Sequence, residues 1–298
     1  MTAPTLVILA AGLGSRYGDA KQVAGVGPDG EWLLEYAIRD ALAAGFASIV
    51  MVIREALRDQ LQDRLAARLA GRAALHFVVQ STTHVPAGCQ APVTRSKPLG
   101  TGHAVWSCAP LLHGPFAVIN ADDYYGPHAF ALLAAHFATR TTPAMVGYRL
   151  TATLSAAGGV NRGVCAIDAT GHLASVTEYL NIAERGGALT GATADGAPAT
   201  LSPDTTVSLN CWGLWPDLLL DLETGLRAFL PSAGDKNEYF LPHAISAYLA
   251  HHTTQLAVLP TPDTWLGLTY PADHAHAVAA IAALHRNGTY PTPLWPTA

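Results

Sequence analysis

From Leu6 to Val79 the chain alternates short apolar runs with segments of helical spacing, and few architectures accept that order. Leu6 to Leu9, Ser48 to Ile53 and Leu75 to Val79 read as buried strands. Trp32 to Ala44, ending at Gly45, and Glu55 to Ala70, closing near Gly71, read as helices. Strand and helix in alternation imply βαβ units, and so an α/β fold with a mainly parallel sheet covered on both faces. Ligands of such sheets sit beyond the carboxyl ends of the strands. From about Pro143 the pattern changes: Ala144 to Thr151, Val164 to Asp168, Leu173 to Tyr179 and Thr206 to Trp212 look like strands without regular helices between them. This predicts a smaller inserted β-rich lobe over the same pocket. Gly186 to Pro203, rich in Gly, Ala, Thr and Pro, is expected to be a loop or a turn-rich excursion. Helices return at Pro216 to Phe229 and Glu238 to His251, followed by a strand Gln255 to Leu259 and a last helix Asp273 to His285.

The first strand ends in Leu9-Ala10-Ala11-Gly12-Leu13-Gly14-Ser15-Arg16, with Lys21 soon after. Such small residues let backbone N–H groups approach a ligand, and consecutive N–H groups form an anion-binding concavity. Arg16 adds a planar permanent cation and Lys21 a mobile point charge, a pairing that suits a polyphosphate. Gly12-x-Gly14 lacks the third glycine of a dinucleotide fingerprint, and no Gly-Lys-Ser/Thr follows as in a P-loop. On glycine spacing alone, a tight turn with no ligand is an equal reading. A second marker is Phe116-Ala117-Val118-Ile119-Asn120-Ala121-Asp122-Asp123, an apolar strand that delivers adjacent carboxylates to its end. Neighbours on an extended chain point to opposite sides, so one of the two faces the ligand.

The string Leu-Ala-Ala-Gly-x-Gly-Ser-Arg followed by Lys21 resembles the signature of the nucleoside-triphosphate-dependent sugar-phosphate nucleotidyltransferases. The likeness is strong to about residue 130 and looser beyond. It implies a Rossmann-like three-layer nucleotidyltransferase fold with a mixed central sheet, as a single domain over 1–298. Within it, 1–142 would hold the nucleotide, 143–270 the acceptor, and 271–298 a C-terminal helix and tail. By resemblance the loop (Leu9, Ala10, Ala11, Gly12, Gly14, Ser15) wraps the triphosphate, Arg16 assists pyrophosphate departure, Lys21 binds phosphate, and Asp122 binds Mg²⁺. Asp123 tunes or orients Asp122, serves the acceptor side, or caps the following helix.

Other positions are read with the alternatives open. Gln80, after the third strand, is a base reader by resemblance or else a solvated glutamine. Gly100, Thr101 and Gly102 resemble a second nucleotide-contacting loop at a helix N-terminus, whose uncovered N–H groups would meet an oxygen; a plain capping turn is the other reading. His103 is expected to be structural. Arg162, Gly163 and Glu178 resemble the acceptor region, although Tyr179 and Leu180 stand where thymidylyl- and uridylyltransferases have Lys-Pro. Arg162 clamps an acceptor phosphate or pairs with an acid. Asn210 and Trp212 line the opposite wall, Asn210 hydrogen-bonding a ligand and Trp212 stacking on a sugar face; core packing is an equal reading for Trp212 and Trp215. Glu238 is expected as a first-turn acid. By resemblance a second Mg²⁺-binding aspartate is expected shortly after Trp265, where this chain has Leu266 and Gly267; Asp263 or Asp273 substitutes, or one carboxylate with phosphates and water suffices.

The reaction implied is transfer of a nucleotidyl group from an NTP to a sugar 1-phosphate, releasing pyrophosphate. A small non-sugar phosphate or phosphonate acceptor, and a silent sugar-nucleotide-binding regulator, are the alternatives. A formal charge of −5 leaves no basic footprint for nucleic acid. Half the residues are hydrophobic and 13% charged, which excludes a disordered chain. Cys89, Cys108, Cys165 and Cys211 lack metal-site or disulfide spacing, and the first apolar run is too short for a membrane span and has no basic flank. The expectation is a cytoplasmic protein; homo-oligomers are frequent among such enzymes.

Overall fold

Leu6, Val7 and Ile8 are all fully buried, so the first strand has cover on both faces. The computed structural model describes residues 2–12, 25–92, 95, 97–155, 158–193, 195–235, 237–252, 254–268 and 271–295, without the side chains of 271 and 272. The first part runs β1 (Thr5–Leu9), α1 (Leu33–Ala43), β2 (Ser48–Ile53), α2 (Arg58–Leu69) and β3 (Ala74–Val79). It continues with α3 (Thr101–Trp106), β4 (Phe116–Asn120), β5 (Asp123–Tyr124), α4 (Pro127–Thr139) and β6 (Ala144–Arg149). Then come β7 (Val160–Ile167), β8 (Leu173–Arg185), β9 (Ala188–Thr193), β10 (Pro198–Leu201) and β11 (Thr206–Leu214). The chain ends with α5 (Leu218–Phe229), α6 (Leu241–His251), β12 (Ala257–Pro260), β13 (Leu266–Gly267) and α7 (Pro271–Arg286).

One mixed sheet has the order β10-β9-β8-β7-β11-β4-β1-β2-β3, with β6 on β11 and β12 on β6. β4, β1, β2 and β3 are parallel, as the βαβ reading requires, while β11 joins them antiparallel to β4. Leu6 and Ile8 pack on one face with α1, α2 and α4, and Val7 on the other with α3, α5 and α6. The result is three layers. No helix of the described residues is long and apolar enough to cross a membrane.

Two expectations are corrected. The stretch from Gly186 to Pro203 contains β9 and β10 rather than only loop. Gly186 and Gly187 both have positive φ (60° and 79°) between the paired residues Arg185 and Ala188, a two-residue turn that suits a hairpin. Glu238 is not in a first helical turn, because α6 starts at Leu241, with Pro242 in its opening positions.

The C-terminal segment is fastened to this frame by buried polar groups. The Tyr290 hydroxyl lies 2.6 Å from the Asp40 carboxylate and 2.8 Å from the Tyr124 hydroxyl. Burial pushes the Asp40 carboxyl up to about 7, against the opposing Tyr290 bond and Arg39. The fold therefore favours neutral Asp40, and its contribution to stability is whole below the ordinary carboxylate range and lost as pH rises through about 7. Between about pH 5 and about pH 8 the wild-type urea midpoint should fall more than that of Asp40→Asn. Equal falls would remove Asp40 as the cause.

Candidate active site

β1 and β4 are neighbours in register, with Leu9 opposite Asn120. Ala10 N–H donates to Val52 O at 2.8 Å and Ala121 N–H to Leu9 O at 3.2 Å. The loop after β1 and the turn holding Asp122 thus leave the sheet side by side at its carboxyl edge. Ala10 and Ala11 are buried at the root of that loop, and a Cβ on Gly12 would meet nothing within 4 Å among the described residues. Gly14, Ser15, Arg16 and Lys21 lie outside the described residues.

The two aspartates part as adjacent residues should. Asp122 is exposed, whereas Asp123 turns inward, accepting from Asn120 Nδ2 at 3.0 Å with the Tyr125 hydroxyl 3.2 Å away. Burial, then the Asp122 charge, pushes the Asp123 carboxyl up, and Arg162 opposes this. Asp123 does not cap α4. Asp263 does, accepting from His128 N–H at 2.8 Å and Ala129 N–H at 3.2 Å. That role, together with His128 Nδ1 at 2.7 Å, makes Asp263 a helix cap rather than a metal ligand. Asp273 is buried and accepts from Ser155 Oγ at 2.8 Å.

Arg162 is a buried cation. Its Nε donates to Thr153 Oγ1 at 3.2 Å, Nη1 to Asn161 O at 2.8 Å, and Nη2 to Thr153 O. The guanidinium stacks 4.2 Å above the Trp265 ring. Burial lowers its affinity for the proton to a pKa of about 10, opposed by Asp123, Glu178 and Asp273. Glu178 in turn is raised by burial and lowered by Arg162. Gly163 sits opposite Glu178 and beside Ser208, where a Cβ would meet Val176. Gly267 faces Asp123 across β13–β5, and a Cβ there would collide with the Trp265 indole. The indole fills the position from which a side chain would have faced Asp123. Composition gave no hint of this Arg–Trp stack; Trp265 two residues before a glycine was its only sign.

Gln80 follows β3 and bridges to the second loop, its Nε2 donating to Gly100 O at 2.9 Å and to His103 Nδ1 at 3.1 Å. Its amide oxygen has no partner among the described residues. His103 is fully buried and donates from Nε2 to His84 O at 2.7 Å, the structural part expected of it. The N–H of Gly102, expected to be uncovered, donates instead to Tyr239 O at 2.8 Å. Thr101 Oγ1 accepts from Leu241 N–H at 2.9 Å, and at Gly100 (φ 112°) a Cβ would strike the Tyr239 backbone. Close packing against residues 239–241 accounts for these glycines. Trp212 is corrected: it is 1% exposed, packed in the core, and cannot stack on a ligand. Its Nε1 donates to Asn210 Oδ1 at 3.3 Å.

Among the described residues, no group of three or more His, Cys, Asp or Glu is arranged to hold a metal. One exposed carboxylate, Asp122, fits a hard cation that takes its other oxygens from phosphates and water.

Residues 6–146 match the model of the MobA-like NTP transferase domain. The fold is similar to that of the inositol-1-phosphate CTP transferase from T. maritima, with TM-score 0.62, 13% identity, and coverage of 96% of this chain and 97% of that one. It is also similar to a UDP-glucose pyrophosphorylase complexed with UDP-glucose, with TM-score 0.61, 16% identity, and coverage of 95% and 99%. No curated protein matches by sequence.

Proposed function

We propose that the chain transfers a nucleotidyl group from an NTP to a sugar 1-phosphate, giving an NDP-sugar and pyrophosphate. The observation that supports this best is the shared exit of the β1 loop and the Asp122 turn at one edge of the sheet. In this reading the amides from Leu9 to Ser15 cradle the triphosphate, Lys21 holds a phosphate, and Arg16 offsets charge on the departing pyrophosphate. The Gln80 amide oxygen accepts from a donor on the base edge. Asp122 is the residue that would hold Mg²⁺, and the ion would supply charge neutralisation between α- and β-phosphate oxygens. On the acceptor side Glu178 accepts from hydroxyls, while Asn210 and the edge of the Arg162 guanidinium donate to oxygens. The acceptor's phosphate oxygen attacks the α-phosphorus, and no covalent enzyme intermediate is needed. Alignment of two bound reactants carries much of the rate.

A non-sugar acceptor is the second reading, favoured by Tyr179 and Leu180 after Glu178 and in keeping with the inositol-1-phosphate named for one structural neighbour. Mixing each NTP with a panel of sugar, polyol and amino-alcohol phosphates, with pyrophosphate assayed and the product weighed by mass spectrometry, decides between them. No release with any pair, together with tight nucleotide binding, points to a silent regulator. Arg16→Ala should lower kcat by about two to three orders of magnitude, the scale of losing one oxyanion-type donor, without a change in melting temperature. Near-normal turnover in that variant would remove Arg16 from the reaction.

A further inference from the structure

β11 changes neighbours at one place. Val207 and Ser208 pair with β7, Trp212 to Leu214 pair with β4, and the register against β6 shifts between Ser208 and Trp212. The residues between them, Leu209, Asn210 and Cys211, form a bulge in which Asn210 has φ 58°, the left-handed region that side chains disfavour. Such a conformation persists only where its surroundings hold it.

Three contacts meet the bulge: Asn210 N–H donates to Ser208 Oγ at 3.4 Å, Trp212 Nε1 donates to Asn210 Oδ1 at 3.3 Å, and Leu209 O lies beside the hydroxyl of Tyr125. Tyr125 is fully buried, and its oxygen accepts from Asn120 N–H at 3.0 Å. The same oxygen lies 3.0 Å from the Leu209 carbonyl and 3.2 Å from Asp123 Oδ2. One atom therefore joins the end of β4, the carboxylate next to Asp122, and the bulge of β11. A phenol has a single proton for these two acceptors, so the turn and the bulge share it. A phenylalanine would fill the same space, so packing alone does not call for the oxygen.

We propose that Tyr125 is a positioning residue that holds the Asp122–Asp123 turn and the Asn210 bulge at a fixed separation. It rests on the nucleotidyl-transfer reading, in which the turn serves the nucleotide and Asn210 the acceptor. Small misalignment between two bound reactants lowers the chemical step more than the binding of either. Tyr125→Phe is compared with Tyr248→Phe, which loses a hydroxyl bond to Asp217 away from the site.

Both full-length variants should lose similar melting temperature. Tyr125→Phe alone should lower kcat about tenfold, leave the KM for the triphosphate within about twofold, and speed amide exchange over residues 208–212 about tenfold. Asn210→Gly, which relieves the left-handed backbone, should restore protection and folding to Tyr125→Phe if the hydroxyl's task is to hold the bulge. Unchanged exchange or unchanged kcat in Tyr125→Phe overturns the proposal. So does an equal kinetic loss in Tyr248→Phe, or failure of Asn210→Gly to rescue a Tyr125→Phe that does not fold. If the wild type turns over no substrate pair, the functional reading fails instead, and the exchange comparison still decides the part played by Tyr125.

Discussion

Asp122→Asn is expected to lower kcat by about 10²–10³ while leaving the melting temperature unchanged. The side chain is exposed beyond the end of β4, so its replacement by one of the same shape opens no cavity. Asparagine keeps the shape and an acceptor oxygen but not the charge, and a hard cation prefers a charged carboxylate oxygen. The neighbouring carboxylate cannot step in. Asp123 is bound to Asn120 and Tyr125 and faces the Arg162 side. Steady-state kinetics across a magnesium titration, with melting curves in parallel, measures both parts. Retention of more than about a tenth of wild-type turnover would show that charge at position 122 is not used in the transition state.

The largest stability effect is expected far from the pocket, at Glu35. This carboxylate is fully buried at the start of α1, where it accepts from Trp32 N–H at 3.1 Å in the manner of a capping box. Arg64 pairs with it at 2.7 Å, Arg68 also pairs with it, and Trp295 Nε1 donates to it at 2.9 Å. Glu35 thus joins α1, α2 and the C-terminal tail. Removing one member of a buried ion pair costs roughly 3–5 kcal/mol because the partner charges lose their counter-ion. Arg64 and Arg68 are about a quarter exposed, so water recovers part of that for Glu35→Ala. A loss of about 2–3 kcal/mol is expected, which at this chain size lowers the melting temperature by roughly 4–10 °C. Glu35→Gln, which keeps the bulk and one acceptor oxygen for either the Trp32 cap or the Trp295 indole, should lose less. Equal losses in the two variants would mean that charge alone is what position 35 contributes, and no loss in Glu35→Gln would mean that packing and hydrogen bonding are.

The parts of the molecule legible in the sequence were those whose signal is local. A branched apolar run ending in Ala-Ala-Gly can hardly be other than a buried strand feeding a close-approach loop, and β1 and β4 lie where that pattern puts them. The opposed directions of Asp122 and Asp123 were expected of an extended chain and hold although Asp122 lies in the turn between β4 and β5. What escaped depended on partners distant in the chain. The β9–β10 hairpin was written in Gly186-Gly187, but the small residues around it masked the strands. Trp212 could not be told from a stacking residue until β4 and β6 closed on either side of it. Asp263 looked like a spare metal ligand because nothing in its own segment shows that it caps a helix beginning at Pro127. The hydroxyl of Tyr125 was invisible for the same reason: its acceptor, Leu209, is 84 positions away.

The account depends on the first loop and Asp122 meeting one metal-bound triphosphate. A crystal structure with a non-hydrolysable NTP analogue and Mg²⁺ tests this most directly. The expected result is an Asp122 oxygen about 2.1 Å from the metal, with the guanidinium of Arg16 about 2.9 Å from a phosphate oxygen. A triphosphate bound with its metal away from Asp122, or with Arg16 out of reach of every phosphate, would contradict it.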